Sequence, residues 1–316
     1  TMKLYSGIDL HSNNSVVSVL DEEDRVVAEK RLSNDLQLIR AFLIPHLNSI
    51  QGVVVESTYN WYWLVDGLMD AGLEVHLANT AAIQQYSGLK HTDDRHDARW
   101  LAHLLRLGLL KEGYIYPRKQ RTIRDLARKR AQLVRQRTAN ILSVQNMVTR
   151  ETGRSISANE IKKIIIGQKQ WPVHSSLGLA IGAHLQVLRT LEEQIDALEK
   201  TIVESAQGNS EYKVLLSVAG VGKVLGFTIL LETGEIHRFA GPGNFASYCR
   251  CVDSKRLSNG KKKGENNAKN GNRYLAWAFV EAANFAIRHY PQVKRFYERK
   301  KAKRNAVVAI KAVAHK

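Results

Sequence analysis

The sequence predicts an α/β domain at the beginning of the chain, then a helical middle segment, and then a mainly α-helical C-terminal domain. Two short apolar runs, Leu4–Leu10 and Asn14–Leu20, are expected to be strands, and Arg25–Arg31 is expected to be a third. Helices and strands alternate up to residue 78, whereas beyond residue 118 the apolar residues recur mainly at helical spacing. A meander of three strands followed by alternating elements is typical of a mixed sheet.

Local signals define the remaining elements of the first domain. Ser33–Asp35 offers N-cap chemistry, and the apolar residues of segment 36–47 follow at helical spacing, which predicts a helix. The elements expected after it are the strand Gly52–Glu56, the helix Asn60–Asp70 and the strand Leu73–Ala78. The strand 52–56 is apolar apart from the carboxylate at its end, so we expect it to be buried.

We expect the 316 residues to form three parts. Residues 1–150 would be the α/β domain with a basic helical extension, 151–207 a helical or coiled-coil linker, and 208–316 the C-terminal domain. Segment 155–170 is weakly patterned and is expected to be a connection. Between residues 188 and 202 the apolar spacing of three and four predicts a short coiled-coil seam or a helical hairpin within one chain.

The most distinctive feature of the composition is its excess of basic residues. The net charge is +17 and the pI is near 9.8, which favours a polyanionic partner. The charge is also clustered: segment 118–137 holds nine basic residues and one acid, and segment 250–316 holds 18 basic and four acidic residues. The first hundred residues carry eight basic residues and 14 acids. A merely basic protein would not require this separation of charge.

The composition gives no indication of a membrane or a secreted protein. No run of about 18 apolar residues is present, so no membrane span is expected. The first residues lack the basic and apolar pattern of a secretory signal. Cys249 and Cys251 are the only cysteines, and their spacing fits neither a disulfide framework nor a zinc site. We therefore expect a cytoplasmic protein, associated with the nucleoid when active.

Asp9 is the residue around which the first domain is expected to be built. It lies in the middle of the apolar strand Leu4–Leu10, where an unpaired charge is costly. A divalent cation shared with other carboxylates is the usual compensation. An Asp in a first strand also opens actin-like sugar kinases, but the chain continues as His11–Asn14 rather than as a Gly-Thr phosphate loop.

Three further carboxylates are candidates for the same cation. Glu56 ends the fourth strand, and Asp94 and Asp97 are three apart on a predicted helix, so that they share one face. The order of these four acids is that of the RNase H-like fold, in which they bind Mg²⁺, or Mn²⁺, for phosphodiester chemistry. The alternative for Asp94 and Asp97 is a solvated acidic first turn. His11 and His96 border the cluster as polar neighbours or DNA contacts rather than as ligands.

A long basic helix and a glycine turn are candidate nucleic-acid contacts. Segment 118–150 is predicted to be a helix whose basic face is either solvated or a track for phosphates. Its candidate contacts are Arg118, Lys119, Arg121, Arg124, Arg128, Lys129 and Arg130. The turn at Gly220 and Gly222 lies between apolar helices and resembles a helix-hairpin-helix element, in which backbone N–H groups approach a phosphate. An ordinary helix–helix turn explains the same pattern.

A second candidate site is the glycine- and lysine-rich loop that carries Ser258. The serine is either part of a flexible DNA-contacting tether or a nucleophile, since neighbouring cations or a metal can supply activation and charge stabilisation. The cations near it are Lys261, Lys262, Lys263 and Arg273. The helix that follows, 276–289, is expected to turn Trp277, Val280, Ala283 and Ile287 to the core, and the basic tail 294–316 is helical in pattern.

Taken in order, these residues resemble the DEDD-type insertion-sequence transposases, a family of bridge-RNA-guided serine recombinases. Segment 7–11 is similar to the family's first acidic strand, 54–58 to its Glu motif, and 94–98 to its Asp-x-x-Asp-Ala pair. Segments 215–222, 238–239 and 271–275 resemble the C-terminal transposase domain, and Ser258 occupies the place of the catalytic serine. In this chain segment 250–253 replaces the usual Gly-Leu-x-Pro, Asn259 follows the serine where the family has Gly, and Ser254 is a nearby second serine.

The resemblance implies a fold and a mechanism. The first domain would be RuvC-like, and Ser258 would attack a DNA phosphodiester to form a covalent phosphoserine link. The four carboxylates of a partner subunit would hold Mg²⁺ at the same phosphate. A structured guide RNA, the bridge RNA, would pair with donor and target DNA, and the chain would act as a dimer or tetramer.

Two other functions fit parts of the pattern. A metal-dependent, structure-selective nuclease of the Holliday-junction resolvase type would use the carboxylates and ignore Ser258. A non-enzymatic nucleic-acid scaffold would need neither, but binding to a polyanion does not favour four ordered acids. A covalent protein–DNA adduct that depends on Ser258 distinguishes the recombinase from both.

Overall fold

A computed structural model describes residues 2–80, 82–83, 93–167, 176–252, 256–264 and 270–316. The chain divides into two compact units, Thr1–Tyr116 and Pro117–Lys316. The first is mixed α/β and the second is mostly helical, so the predicted α/β and α classes are confirmed. The finer division at residues 150 and 207 stays a prediction. None of the helices in the described parts has the length and apolar composition that crossing a bilayer requires.

The first unit is built on a five-stranded mixed sheet with the order β3-β2-β1-β4-β5. Strands β1 to β3 are antiparallel neighbours, whereas β4 runs parallel to both β1 and β5. The strands are β1 Leu4–Leu10, β2 Asn14–Leu20, β3 Val26–Ser33, β4 Ile50–Glu56 and β5 Val75–Ala78. Each predicted strand is present, and the first two have the predicted bounds because their apolar runs end abruptly at polar turns.

Among the described residues of this unit, three helices and a short 3-10 turn, Ile44–His46, accompany the sheet. The helices are α1 Leu36–Leu43, α2 Tyr62–Asp70 and α3 Asp94–Arg106. Asp35 is the N-cap of α1: its carboxylate accepts hydrogen bonds from the N–H groups of Gln37 and Leu38, as expected.

The two faces of the sheet differ in what covers them. Ile8 and Leu10 of β1 pack into the main apolar core, to which α1 and α2 also contribute. Gly7 and Asp9 alternate with them and lie on the opposite face, which α3 covers. A Cβ atom at Gly7 would lie 2.0 Å from the carbonyl oxygen of Ala98, so this glycine is what allows α3 to pack so closely on β1.

Two long helices dominate the first part of the second unit, α4 Arg118–Thr152 and α6 Ser176–Ala206. Leu188 of α6 is buried with Val144 of α4, and Ile202 is buried with Ala127, so the predicted seam lies within the chain as a helical hairpin. The expected connection at 155–170 was wrong in part, because it contains the helix α5 Ala158–Ile165. Ser157 and Glu160 form a capping box at its start.

Where the structure describes it, the rest of the second unit is helical apart from one β-hairpin. Its helices are α7 Ser210–Leu216, α8 Lys223–Thr233, α9 Pro242–Tyr248, α10 Arg273–His289, α11 Pro291–Lys303 and α12 Ala306–His315. The hairpin pairs β6 Arg256–Ser258 with β7 Lys261–Gly264.

The structure corrects two expectations from the sequence. The serine segment is a hairpin and not a plain loop, and Trp277 is 41% exposed because α10 turns the small residues Ala278, Ala282 and Ala286 to the core.

Candidate active site

The site is centred on Asp9, which the fold buries near the end of the central strand β1. Only 4% of this residue is exposed, and its Oδ2 atom has no hydrogen-bond partner among the described residues. The β1–β4 register pairs Ile8 with Val55, so the next residue of β4, Glu56, is the neighbour of Asp9. A buried carboxylate oxygen without a donor is costly unless a cation satisfies it.

Glu56 interacts directly with Asp9. Burial, the hydrogen bond to Asp9 and the negative charges of Asp9 and Asp97 raise the pKa of Glu56 to about 8. Two carboxylates that share a site cannot both ionise cheaply, so a proton stays on this pair near neutral pH when no cation is bound. A divalent cation would remove the repulsion that holds the proton there.

Helix α3 brings the other two acids to the same place. Asp93 caps the helix by accepting a hydrogen bond from the N–H group of His96 at 2.8 Å. Burial and the negative charge of Asp9 raise the pKa of Asp97, whereas a hydrogen bond from Arg31 lowers the pKa of Asp94. The four acids predicted from the sequence therefore lie together, and Asp97 does not behave as a fully solvated first-turn residue.

His11 is closer to the carboxylates than sequence analysis indicated. Its Nε2 atom lies 3.0 Å from Oδ2 of Asp9 and 3.3 Å from Oδ2 of Asp94. The period-two alternation of β1 would have placed His11 on the same side as Asp9, and that signal was available in the sequence. His96, the other bordering histidine, instead stacks on Trp100 with ring centroids 6.4 Å apart.

These residues fit a divalent metal ion. Asp9, His11 and Asp94 each offer a ligand atom, and the three atoms lie within 4.8 Å of one another. Carboxylate oxygens are the ligands that Mg²⁺ and Mn²⁺ prefer, and no thiolate is present in this group. The crowded acids and the unpartnered Asp9 oxygen both favour binding of a cation.

Ser258 is presented on the exposed hairpin of the second unit. It is the last residue of β6, pairs with Lys261 of β7, and is itself exposed. Asn259 and Gly260 form the turn with φ values of 48° and 71°. Lys263 is exposed nearby, whereas Ser254 and the side chain of Lys262 lie outside the described part of the structure.

Two family models match this chain. Residues 6–151 match the DEDD transposase model of IS110, and residues 212–298 match the model described as the transposase IS116/IS110/IS902 family. The chain belongs to the IS110 family of transposases. It is also 20% identical over 293 residues to the transposase for insertion sequence element IS1111A of Coxiella burnetii (strain RSA 493 / Nine Mile phase I). That match covers 90% of this chain and 78% of its relative.

Membership of this family establishes the general activity. An IS110-family transposase is an enzyme that cuts and rejoins DNA for an insertion sequence, and its DEDD carboxylates use a divalent metal. The first family match contains Asp9, Glu56, Asp94 and Asp97, and the second contains Ser258. The predicted identification of the family is therefore confirmed.

The transposase also buries Glu232 of α8, an acid that sequence analysis missed. This residue is 1% exposed and accepts two hydrogen bonds from Arg128 at 2.6 and 2.7 Å and one from Asn272 at 2.7 Å. Asn272 also caps α10, and Tyr274 lies under the Arg128 guanidinium at 4.7 Å. A lone Glu in the apolar run of α8 was the available signal.

The predicted phosphate track on α4 has both exposed and internal members. Arg118, Lys119 and Lys129 are exposed, whereas Arg121 and Arg124 are buried at 2% and 5% exposure. Arg128 is held by Glu232, and Arg130 is paired with Glu199 of α6. In this conformation only the exposed members present their charges to a ligand, and their contact with phosphate stays a prediction.

The candidate glycines and Arg273 also differ in their surroundings. Gly220 has a φ of +85°, and a Cβ there would lie 2.2 Å from the carbonyl oxygen of Ala282, so this glycine is required for packing against α10. Gly222 is the N-cap of α8 and has open space beside it, and Arg273 is exposed at the start of α10. Close approach of a phosphate is therefore sterically possible at Gly222.

Proposed function

We propose that this transposase exchanges DNA strands with Ser258 as the nucleophile and with Asp9, Glu56, Asp94 and Asp97 as the ligands of Mg²⁺ or Mn²⁺. The observation that carries the proposal is the meeting of these four carboxylates, which come from β1, β4 and α3. The ions when bound would stabilise charge on the reacting phosphate and its attacking and leaving oxygens. The likeness to serine-dependent family members supports the nucleophile.

The proposed step can be written in terms of bonds. The Ser258 Oγ atom loses its proton and attacks phosphorus, so that a bond forms between serine oxygen and phosphorus. One deoxyribose oxygen leaves as a hydroxyl group, and attack of a second strand's hydroxyl on the phosphoserine reverses the process and releases the serine. Exposed Lys261 and Lys263 stand beside the serine and would lower the electrostatic cost of the entering phosphate.

The partners follow from the family and from the charge. We propose that donor and target DNA are chosen by base pairing with a structured bridge RNA, while the protein holds the nucleic-acid backbone. The excess of basic residues in segment 118–137 and in segment 250–316 supports this division of labour. Residues 208–316 would be the C-terminal domain, and the carboxylates of one subunit would act on the phosphate attacked by a partner's serine in a dimer or tetramer.

A second candidate function is a structure-selective nuclease of the Holliday-junction resolvase type. All four carboxylates belong to one compact unit, Thr1–Tyr116, whereas Ser258 belongs to the other. A metal site built from these carboxylates does not require the serine, which favours this function. This nuclease would release free ends without a covalent intermediate.

A denaturing gel tests the proposal against this alternative. The wild-type protein, with its co-purified RNA and Mg²⁺, is incubated with labelled DNA that carries the insertion-sequence ends. We expect a slowly migrating protein–DNA adduct in the wild type and in Ser254→Ala, and none in Ser258→Ala. Cleavage without an adduct in all three proteins would favour the nuclease, and an adduct that depends on Ser254 would move the nucleophile.

A further inference from the structure

We propose that His11 is a metal ligand, through its Nε2 atom, at the position it shares with Asp9 and Asp94. The inference rests on the proposed metal-dependent function and adds a nitrogen donor to an otherwise all-oxygen set. Three observations carry it: two buried atoms that lack hydrogen-bond partners, a fixed backbone, and a compact group of donor atoms.

The first observation is a pair of polar atoms that face each other without bonding. Oδ2 of Asp9 and Nε2 of His11 are both shielded from solvent, and neither has a hydrogen-bond partner among the described residues. Nε2 of His11 lies 3.0 Å from Oδ2 of Asp9 and 3.3 Å from Oδ2 of Asp94. An acceptor and a ring nitrogen left unsatisfied around one point are explained by a cation that binds both.

The second observation is the way the backbone of His11 is held. Its carbonyl oxygen accepts hydrogen bonds from the side-chain amides of Asn34 at 2.9 Å and Asn60 at 3.0 Å, and its N–H group donates to the carbonyl of Asn14. Ser15 in turn donates to the Asn34 amide oxygen at 2.7 Å. Hydrogen bonds from three separate segments thus hold the backbone of His11 in place. Metal ligands are commonly held by such supporting hydrogen bonds.

The third observation is how the acids divide around Asp9. Asp9, His11 and Asp94 place one donor atom each within 4.8 Å of the others. Glu56 and Asp97 act on Asp9 through a hydrogen bond and through charge. Asp9 is therefore common to two groups, one with a nitrogen donor and one with carboxylates alone.

A nitrogen ligand has a consequence for metal choice. Imidazole suits transition metals, whereas Mg²⁺ strongly prefers oxygen, so His11 should make the site favour Mn²⁺ over Mg²⁺. His11→Asp replaces the nitrogen by an oxygen donor and should shift the ratio of the two affinities towards Mg²⁺. His11→Asn removes the imidazole and should weaken Mn²⁺ binding by about tenfold or more, since even supporting residues of a metal site contribute this much.

The test is pulsed electron paramagnetic resonance of the full-length protein loaded with Mn²⁺, with and without ¹⁵N-labelled histidine. We expect the nitrogen modulation of a coordinated imidazole in the wild type and in the nearby control His96→Asn, and its loss in His11→Asp while Mn²⁺ still binds. Binding of Mn²⁺ without any histidine signal in the wild type, or a signal that persists in His11→Asp, overturns the assignment but leaves the metal-dependent function intact. Failure of the wild type to bind Mn²⁺ at all overturns both.

Discussion

Gly7→Ala is the substitution whose steric effect follows most directly from the structure. The added Cβ atom would lie 2.0 Å from the carbonyl oxygen of Ala98 and 2.8 Å from the backbone nitrogen of Ala102. Neither contact can be relieved by a side-chain rotation, because both partners are backbone atoms of α3. Ordinary contact begins at 3.4 Å, so α3 must retreat from β1 by about 1.4 Å.

This retreat should affect both stability and activity. Forcing extra volume into a packed contact costs about 1–3 kcal/mol, which corresponds to a fall in the melting temperature of roughly 4–12 °C for a unit of this size. Helix α3 also carries Asp94 and Asp97 away from Asp9, and a displacement of about 1 Å can lower a reaction rate about a hundredfold. Differential scanning calorimetry and the DNA cleavage assay measure the two effects.

Gly113→Ala is the matched control. The nearest atom to its added Cβ would be a Leu77 side-chain carbon at 3.5 Å, an ordinary contact distance. We expect its melting temperature and cleavage rate to remain close to those of the wild type. Equal behaviour of the two variants would refute the inference that Gly7 sets the distance between α3 and the central strand.

Three further predictions concern charge. In the metal-free protein the pKa of Glu56 is raised, so between about pH 4.5 and about pH 8 the folded state holds a proton that the unfolded state has lost. The melting temperature should therefore fall as pH rises through this range. Glu56→Gln should flatten this profile. Glu232→Ala should lower the free energy of unfolding by about 1–3 kcal/mol in urea titrations, because it removes the buried carboxylate that accepts hydrogen bonds from Arg128 and from the buried amide of Asn272. The exposed Glu235→Ala should change it by less than about 0.5 kcal/mol. Lys119→Ala and Lys129→Ala should each reduce, by about 1, the magnitude of the slope of log DNA affinity against log salt concentration. An unchanged slope would exclude that side chain from the phosphate contacts.

Much of the fold could be predicted because local signals and tertiary structure agree in it. The strands β1 and β2 have the bounds that their apolar runs indicate, and α1 begins at the predicted cap. The helix α5 was missed although Ser157 and Glu160 gave a capping-box signal. The serine hairpin was missed although Asn259–Gly260 is a strong two-residue turn sequence. Both elements are short, so their signal extends over only a few residues.

The site could be predicted only as far as chain order allows. The four carboxylates come from different elements, and their order along the chain was enough to group them. The role of Gly7 as a close-packing position was not predictable, because it depends on which helix lies over β1. The bidentate pair between Arg128 and Glu232 joins residues 104 positions apart, which no local pattern reveals. The sequence alone therefore predicts a phosphate contact at Arg128, although its side chain pairs with Glu232.

Isothermal titration calorimetry with Mg²⁺ measures whether Asp9 organises one divalent-metal site from three elements. We expect saturable binding to the wild type at pH 7.5, with a heat that varies with the ionisation enthalpy of the buffer because a proton leaves the Asp9–Glu56 pair. Binding should be lost in Asp9→Asn and retained in Asp35→Asn, which changes an exposed carboxylate outside the site. Equal Mg²⁺ binding by Asp9→Asn and the wild type would show that Asp9 does not organise the site.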